Sequence, residues 1–430
     1  LLPTLTIGKG TNTIAAIKIN DENKNFDIEI KSGVSNKALQ ENEKHITIKN
    51  GSMVCPHCET STPISSLRKD KKNTNGETEY GLRKWEKNEF IPKKDDVFQE
   101  RLYCIRYIIP NENGRDERYY TAPTNEDFGR EEKIYKLLNE RFEEWQKKGY
   151  IPDMRIEEGY NTTQLIRERG WAYWHQLFNP RQLLIQGLLM KLTIENAKNV
   201  KEKAIGMLGI NKCANWNSEL SRWDNGGSPS VKDTYYNQAL NTLFNYGTRA
   251  LSLCSSIWFF NITSSKINAH STIIPQDARH ITHTCDLWIT DPPYADAVNY
   301  HELSEFFLAW DRKFLKDIFP DWYVDSKRAL AVKGKGKSFN ESMVEIYSNL
   351  AKHMPDNGMQ VVMFTHQDVS VWADLTYILW ASGLKVTAAW NIATETESGG
   401  LKGGGNYVKG TVILVLRKQT SEDTAYSDEL

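Results

Sequence analysis

The sequence predicts an α/β protein in three parts: a β-rich segment over 1–120, a helical block over 121–264 and an open α/β sheet over 265–418. Three observations support this. Apolar and polar residues alternate in places through the first part, the period of a half-buried strand. Near residue 121 the period lengthens to that of an amphipathic helix. Beyond about 265, apolar runs and helical stretches follow one another as strand, helix, strand, the order that builds parallel strands. Residues 419–430 are a polar tail with nothing to bury.

A chain of 430 residues has core enough for two or three domains. Its formal net charge is −1, so attraction to nucleic acid has to come from local basic surfaces. Six cysteines without regular pairing fit a reducing, cytoplasmic setting better than a disulfide scaffold. The sequence has no run of about eighteen apolar residues and no leader pattern, which predicts a soluble chain without membrane association. It opens on Leu1-Leu2-Pro3 with no methionine, so a processed or partial chain is expected.

In the first part, 13–19, 26–30 and 102–109 are expected strands between Lys/Asn/Glu-rich turns. Residues 68–97 are charge-dense and poor in core formers, and are expected to be a mobile excursion. The helical block opens at Thr124-Asn125-Glu126-Asp127, a capping box with Asp in place of Glu. Ile134, Leu137, Leu138, Phe142 and Trp145 then form one stripe. Asn179 and Pro180 mark an N-cap and first helical residue, and Leu183, Leu184, Leu188 and Leu189 continue that helix. A third helix is expected at about 232–252. In the last part, 285–290 (CDLWIT) is an expected buried parallel strand, followed by a helix bearing Leu303, Phe306, Phe307, Trp310 and Phe314. A helix near 339–353, a strand at 358–365, a helix at 371–381 and strands at 384–390 and 411–416 complete the pattern. The last two strands are consecutive and are expected to pair antiparallel at a sheet edge.

The chemistry concentrates at Asp291-Pro292-Pro293-Tyr294, directly after the 285–290 strand. A carboxylate, two prolines and an aromatic ring at a strand's carboxyl end suit methylation of an exocyclic amine on a flat base. Such a nitrogen is a poor nucleophile, because its lone pair is delocalised into the ring. The Asp291 carboxylate would accept one N–H and the Pro292 carbonyl the other, drawing the nitrogen toward a tetrahedral shape. Proline fixes φ and restricts the residue before it, so the loop is stiff and its carbonyls are aimed. Tyr294 would stack on a base taken out of its duplex. The plainer reading is an ordinary Asp-Pro turn after a strand.

Other constellations admit more than one reading. Cys55-Pro56-His57-Cys58 has zinc-knuckle spacing, making Cys55 and Cys58 candidate ligands, yet zinc needs four and no second pair accompanies them. Either further ligands come from outside the chain, or the turn is unmetallated, or the spacing is coincidence. Trp171, Tyr173, Trp174 and His175, after Arg167 and Arg169, are a candidate nucleic-acid surface, as are Asn215, Trp216, Ser221, Arg222, Trp223 and Asp224. Trp174 and Arg222 are the leading contacts, although aromatics beside helices also serve as core. Lys333, Lys335 and Lys337 alternate with Gly334 and Gly336, either a cationic loop able to approach phosphates or a solvated one. Thr394, Glu395 and Thr396, with the glycines of 399–405, would line a substrate cleft or stay a plain loop.

These residues carry a resemblance to the carboxyl-terminal portion of the large adenine-specific DNA methylases that contain a zinc ribbon. It spans CPHC at 55–58, RYYTAPT at 118–124, WAYWHQLFNPRQLL at 171–184, NSELSRWD at 217–224, DPPYADAVNYHELSEFFLAW at 291–310 and GGGNYVKGTVILVLRK at 403–418. The resemblance implies a Rossmann-like methyltransferase sheet, S-adenosylmethionine as methyl donor and DNA as substrate. It implies catalytic roles for Asp291, Pro292, Pro293 and Tyr294, and zinc at a ribbon for which this chain offers Cys55 and Cys58; Thr290 and Asp291 are the candidate donor contacts.

In that family a Gly-rich donor motif comes early. No strand, Gly-rich turn and helix in that order occurs here, and Gly206-Met207-Leu208-Gly209 lies in helical context. The expectation is a DNA N6-adenine methyltransferase whose donor-binding half is a second polypeptide or a missing amino-terminal part. Cytosine N4 and guanine N2 of ribosomal RNA are alternative amines. A DNA-binding subunit without catalysis is the alternative of another class.

Overall fold

The computed structural model describes residues 1–430 except 21, 23–24, 112–113, 115, 250, 259–267, 294–297, 323–324, 327, 329–330, 333–335, 367, 394–409 and 421–430. The chain divides into two compact units, Leu1–Ile267 with Glu302–Ser326, and Asn268–His301 with Lys327–Leu430. It is mixed α/β with small sheets, as the periodicity predicts. No helix among the described residues is long and apolar enough to cross a membrane.

The first unit opens with an antiparallel sheet of β1 (Thr6–Gly8), β2 (Thr13–Asn20) and β3 (Asn25–Lys31), followed by α1 (Asn36–Glu43). Ile17 and Ile28, which face each other across β2 and β3, pack against a core of Leu2, Leu5, Ile7, Ala15 and Tyr120. The Glu43 carboxylate on α1 accepts from Leu5 N at 2.9 Å and Thr6 N at 2.5 Å, satisfying the backbone that leads into β1. A second small sheet joins β4 (Ile48–Lys49), β5 (Ser52–Val54) and β6 (Ser61–Pro63), and the single-turn α2 (Ile64–Leu67) follows. Two hairpins come next, β7 (Lys71–Lys72) with β8 (Thr78–Glu79), and β9 (Ile105–Ile109) with β10 (Glu117–Thr121).

Residues 68–97, expected as a mobile excursion, are tied down instead. Arg83 holds Asp96 by bonds of 2.7 and 2.5 Å and Glu89 at 2.5 Å. Buried side chains engage the segment's carbonyls: Gln176 Nε2 donates to Glu86 O at 2.7 Å, and His175 Nε2 meets Glu89 O at 3.0 Å. Charge density hides this, because the anchors lie 86 and 90 residues away in sequence.

α3 (Asn125–Asn139) begins at the expected capping box, with Asp127 N donating to Thr124 Oγ1 and Thr124 N to Asp127 Oδ2. α4 (Phe142–Lys148) and α5 (Thr162–Arg169) follow, then α6 (Pro180–Asn196), capped by Asn179 as expected, and α7 (Val200–Trp216). β11 (Trp223–Asp224) and β12 (Ser230–Val231) form a short ribbon. The helix expected at 232–252 does not form, and α8 spans only Ser252–Trp258. Tertiary bonds override propensity there: Tyr235 OH donates to Leu303 O, Tyr103 OH to Asn245 Oδ1 and Thr234 Oγ1 to Asn215 O.

After β13 (Leu287–Thr290) come α9 (Tyr300–Leu303) and α10 (Glu305–Ile318). α10 was expected with the final block but belongs to the first unit. Its Phe306 and Trp310 are buried with Trp174 and Phe178, the Phe178 ring lying 5.5 Å from Phe306 and 5.3 Å from Trp310. Truncating one such ring to alanine costs about 3–5 kcal/mol.

The second unit continues from β13 through α11 (Lys337–Lys352), β14 (Met359–Phe364), α12 (Val369–Ala381), β15 (Leu384–Ile392) and β16 (Thr411–Lys418). The strand order is β13-β14-β16-β15. β13 and β14 run parallel, and the other two pairs are antiparallel, including the expected pairing of the last two strands. One sheet face, with Val362, Phe364, Leu384 and Leu416, packs on Met343, Tyr347 and Leu350 of α11 and Leu375 and Ile378 of α12. β13 is not buried on both sides as its sequence suggests, since Leu287 and Ile289 are exposed.

Between α7 and α10, Asn211 Nδ2 donates to Asp311 Oδ2 at 2.7 Å, and burial raises the Asp311 carboxyl to about 7. Neither Oδ1 of this pair has a partner among the described residues, which a protonated Asp311 donating back to the amide would remedy. The folded chain then keeps a proton that the unfolded chain releases, so stability falls as pH rises from 3.8 to about 7 and levels off above. Asp311→Asn is expected to flatten that fall by roughly 2–4 kcal/mol. Urea midpoints between pH 4 and 8 check this, and an unchanged slope would refute the protonated pair.

Candidate functional site

β13 delivers Asp291, Pro292 and Pro293 to the carboxyl end of the parallel pair β13–β14. Ligands of open α/β sheets bind outside that end of the strands. Thr290, level with Val362 of β14, bonds the Tyr347 hydroxyl at 3.1 Å. Tyr347 is 1 % exposed, and burial, reinforced by the nearby Asp291 charge, pushes its phenol up to about 12. A neutral Tyr347 thus pins the last residue of β13. Asp291 itself is exposed, so its carboxylate is not walled off in the core.

Beside Pro293 lies a small cleft of about 70 Å³. Pro293, Phe364 of β14, Phe339 and Met343 of α11, and Val371, Leu375 and Ile378 of α12 make its apolar walls. Exposed Asp368, Ser370 and Asp374 line it as well. Asp368 caps α12 by accepting from Ser370 N at 2.9 Å. Gly336, which also lines the cleft, enters α11 with φ +85°, a conformation glycine adopts without a Cβ clash. Two helix amino termini therefore border an apolar slot next to the prolines. Sequence reading misses Phe339, Met343 and Tyr347 because their i, i+4, i+8 spacing is also that of a core stripe.

The other expected contacts fare differently. Tyr294, Lys333 and Lys335 lie outside the described residues, as do the 394–396 and 399–405 stretches. Lys337 is the first residue of α11, its side chain 90 % exposed and paired with Glu341 at 3.7 Å. Such a surface pair contributes little and leaves the amine accessible. Trp174 needs correction: it is fully buried against Phe306, with no ring face to offer a base. His175 is also buried, which pushes its imidazole down to about 4 and keeps it neutral. The 171–178 block is core. Arg222 is half-buried, its guanidinium 5.0 Å from the Tyr236 ring.

Cys55 and Cys58 share one turn, closed by Glu59 N to Cys55 O at 2.9 Å and Cys55 N to Thr60 O at 3.0 Å. The Thr60 hydroxyl and backbone, then the Cys55 thiol, hold the Cys58 thiol below its ordinary range. Two sulfurs supply half of a tetrahedral shell, and no cluster of three His, Cys, Asp or Glu able to hold a metal occurs among the described residues. The residues present do not fit zinc on their own.

Comparison of the chain with family models, curated proteins and solved structures returns no match.

The turn makes a chemical prediction. Exposed Cys58 is expected to alkylate with iodoacetamide well before Cys104 and Cys213, whose thiols burial pushes up to about 12. Peptide mapping after timed quenching at pH 8 reads the order; equal rates at the three sites contradict it.

Proposed function

We propose that this chain is the base-binding portion of an S-adenosylmethionine-dependent DNA N6-adenine methyltransferase. One observation carries the reading: exposed Asp291 and its two prolines stand at the carboxyl end of a parallel strand pair, with an apolar cleft alongside. The flipped adenine would lie against the apolar wall that includes Phe339 and Phe364. Its amino group would give one N–H to Asp291 and the other to the Pro292 carbonyl. Tyr294 would pack on the ring, and Lys337 with the amino end of α11 would meet a phosphate. Catalysis would come from orientation and electrostatics, without a covalent intermediate.

When bound, S-adenosylmethionine would supply an electrophilic methyl group from its sulfonium. On this chain Thr290 and Asp291 are the residues put forward to adjoin it. The Thr290 hydroxyl is already engaged with Tyr347, so most of a donor pocket would come from a partner polypeptide or from a further part of the same protein. The same thin donor set supports the second reading, a DNA-binding subunit without catalysis.

Asp291→Ala, introduced in place of the wild-type chain in the cells it comes from, is expected to lower genomic N6-methyladenine at least 100-fold. The melting temperature of the purified variant should stay within a few degrees, because the side chain is exposed. Near-normal methylation in nucleoside mass spectrometry would sink the assignment. Loss of N4-methylcytosine or of N2-methylguanine in ribosomal RNA would instead move the target base. The second reading requires that the isolated chain bind DNA and that Asp291→Ala leave every methylated base at its wild-type level.

A further inference from the structure

The ribbon of β11 and β12 in the first unit has one buried face and one wet face. Trp223 and Val231 are opposite each other in register and turn inward: Val231 is buried, and the Trp223 indole donates to Ile7 O at 2.7 Å. Their neighbours on either strand therefore turn outward, as strand alternation requires. Lys232 N donates to Arg222 O at 2.8 Å, so these two cations lie across the ribbon from each other. Both reach one ring. The Arg222 guanidinium is 5.0 Å from the Tyr236 centroid and the Lys232 ammonium 6.0 Å. Lys232 also meets Asp224 at 3.2 Å, so two cations against one carboxylate leave a positive charge in surplus. Asp233, one residue on, interacts with Arg249. Like charges opposed across a strand pair destabilise it, a cost that a bound anion would remove. The other arginines here are taken up by the fold: Arg106 donates to Pro229 O at 2.6 Å, and Arg249 to Val231 O at 2.6 Å and Trp216 O at 3.1 Å. Tyr236 is 45 % exposed, yet the segment carrying it is fixed, because Tyr235 OH donates to Leu303 O and Thr234 Oγ1 to Asn215 O, both at 2.8 Å.

We propose that this outer face binds an unpaired nucleotide of a DNA strand, with the phosphate between Arg222 and Lys232 and the base on the open part of the Tyr236 ring. A guanidinium and an ammonium side by side suit a phosphate, which accepts charge-assisted bonds from both. A ring fixed beside them supplies the stacking surface, and cations with an aromatic platform are the means by which single strands are held without reading their sequence. The ring also selects the state of the strand. A duplex hides its base faces in the stack, so only a nucleotide taken out of it can cover Tyr236. Sequence reading reaches Arg222 but not its two companions, because Lys232 and Tyr236 join it only once the ribbon has closed. For the choice of DNA over RNA the inference rests on the function proposed above; the phosphate and base chemistry rests on the ribbon itself.

The test follows binding of a fluorescein-labelled, mixed-sequence single strand of about 20 nucleotides to the full chain, by fluorescence anisotropy from roughly 50 to 200 mM salt. Tyr236→Ala is expected to weaken binding about 5–150-fold, the loss of one stacked base, and Tyr236→Phe to retain it. The double variant Arg222→Gln with Lys232→Gln is expected to flatten the slope of log K against log salt by about 0.7, one phosphate contact on a single strand. If the cations only brace the tyrosine, the double variant lowers the melting temperature and leaves that slope alone, which overturns the proposal. Its two changes lie on the wet face, so it decides the matter even where Tyr236→Ala unfolds. No binding by the wild-type chain, or binding at least tenfold tighter to the same strand made of RNA, also overturns it. Methylation is not read in this assay, so failure of the ribbon and failure of the role given to Asp291 are separate results.

Discussion

The candidate site depends on the parallel pairing of β13 with β14. β13 is only four residues long, too short to hold a loop in place by itself. Four register pairs with β14, from Leu287 with Met359 to Thr290 with Val362, fix its direction and depth. The bond between Thr290 and buried Tyr347 then pins its last residue. Without that pairing Asp291 and the prolines would be an ordinary turn, and the cleft bounded by Pro293 and Phe364 would lose one wall.

In the first unit, aromatic and polar side chains that invite a functional reading are used to hold distant segments together. Trp174, Phe178, Phe306 and Trp310 fill one buried cluster. His175 and Gln176 take up the carbonyls of Glu86 and Glu89, so an otherwise charge-rich stretch stays fixed. A buried donor that reaches a backbone carbonyl avoids the penalty of an unmade hydrogen bond, about 1–3 kcal/mol. This accounting explains why polar residues sit deep in a block that looks, on paper, like a binding surface.

Local signals in the chain translated well. The capping box at Thr124 and Asp127, the Asn179–Pro180 helix start and the antiparallel pairing of the last two strands all formed where the residues indicated. The turn bearing Cys55 and Cys58 formed as well. The failures share a cause. The missing helix near 232–252, the tethered 68–97 segment and the buried Trp174 each depend on partners far away in sequence.

The sequence by itself determined where capped helices such as those at Thr124 and Asn179 start, and that an acid followed by two prolines ends a strand. These follow from backbone preferences and apolar period, which act over a few residues. Only the tertiary structure decided which face of each element meets water. It buried Trp174, exposed Leu287 and Ile289, and set Phe339, Met343 and Tyr347 of α11 against the ends of β13 and β14. Those outcomes turn on burial, the free energy of removing apolar surface from water, which depends on neighbours no local window contains.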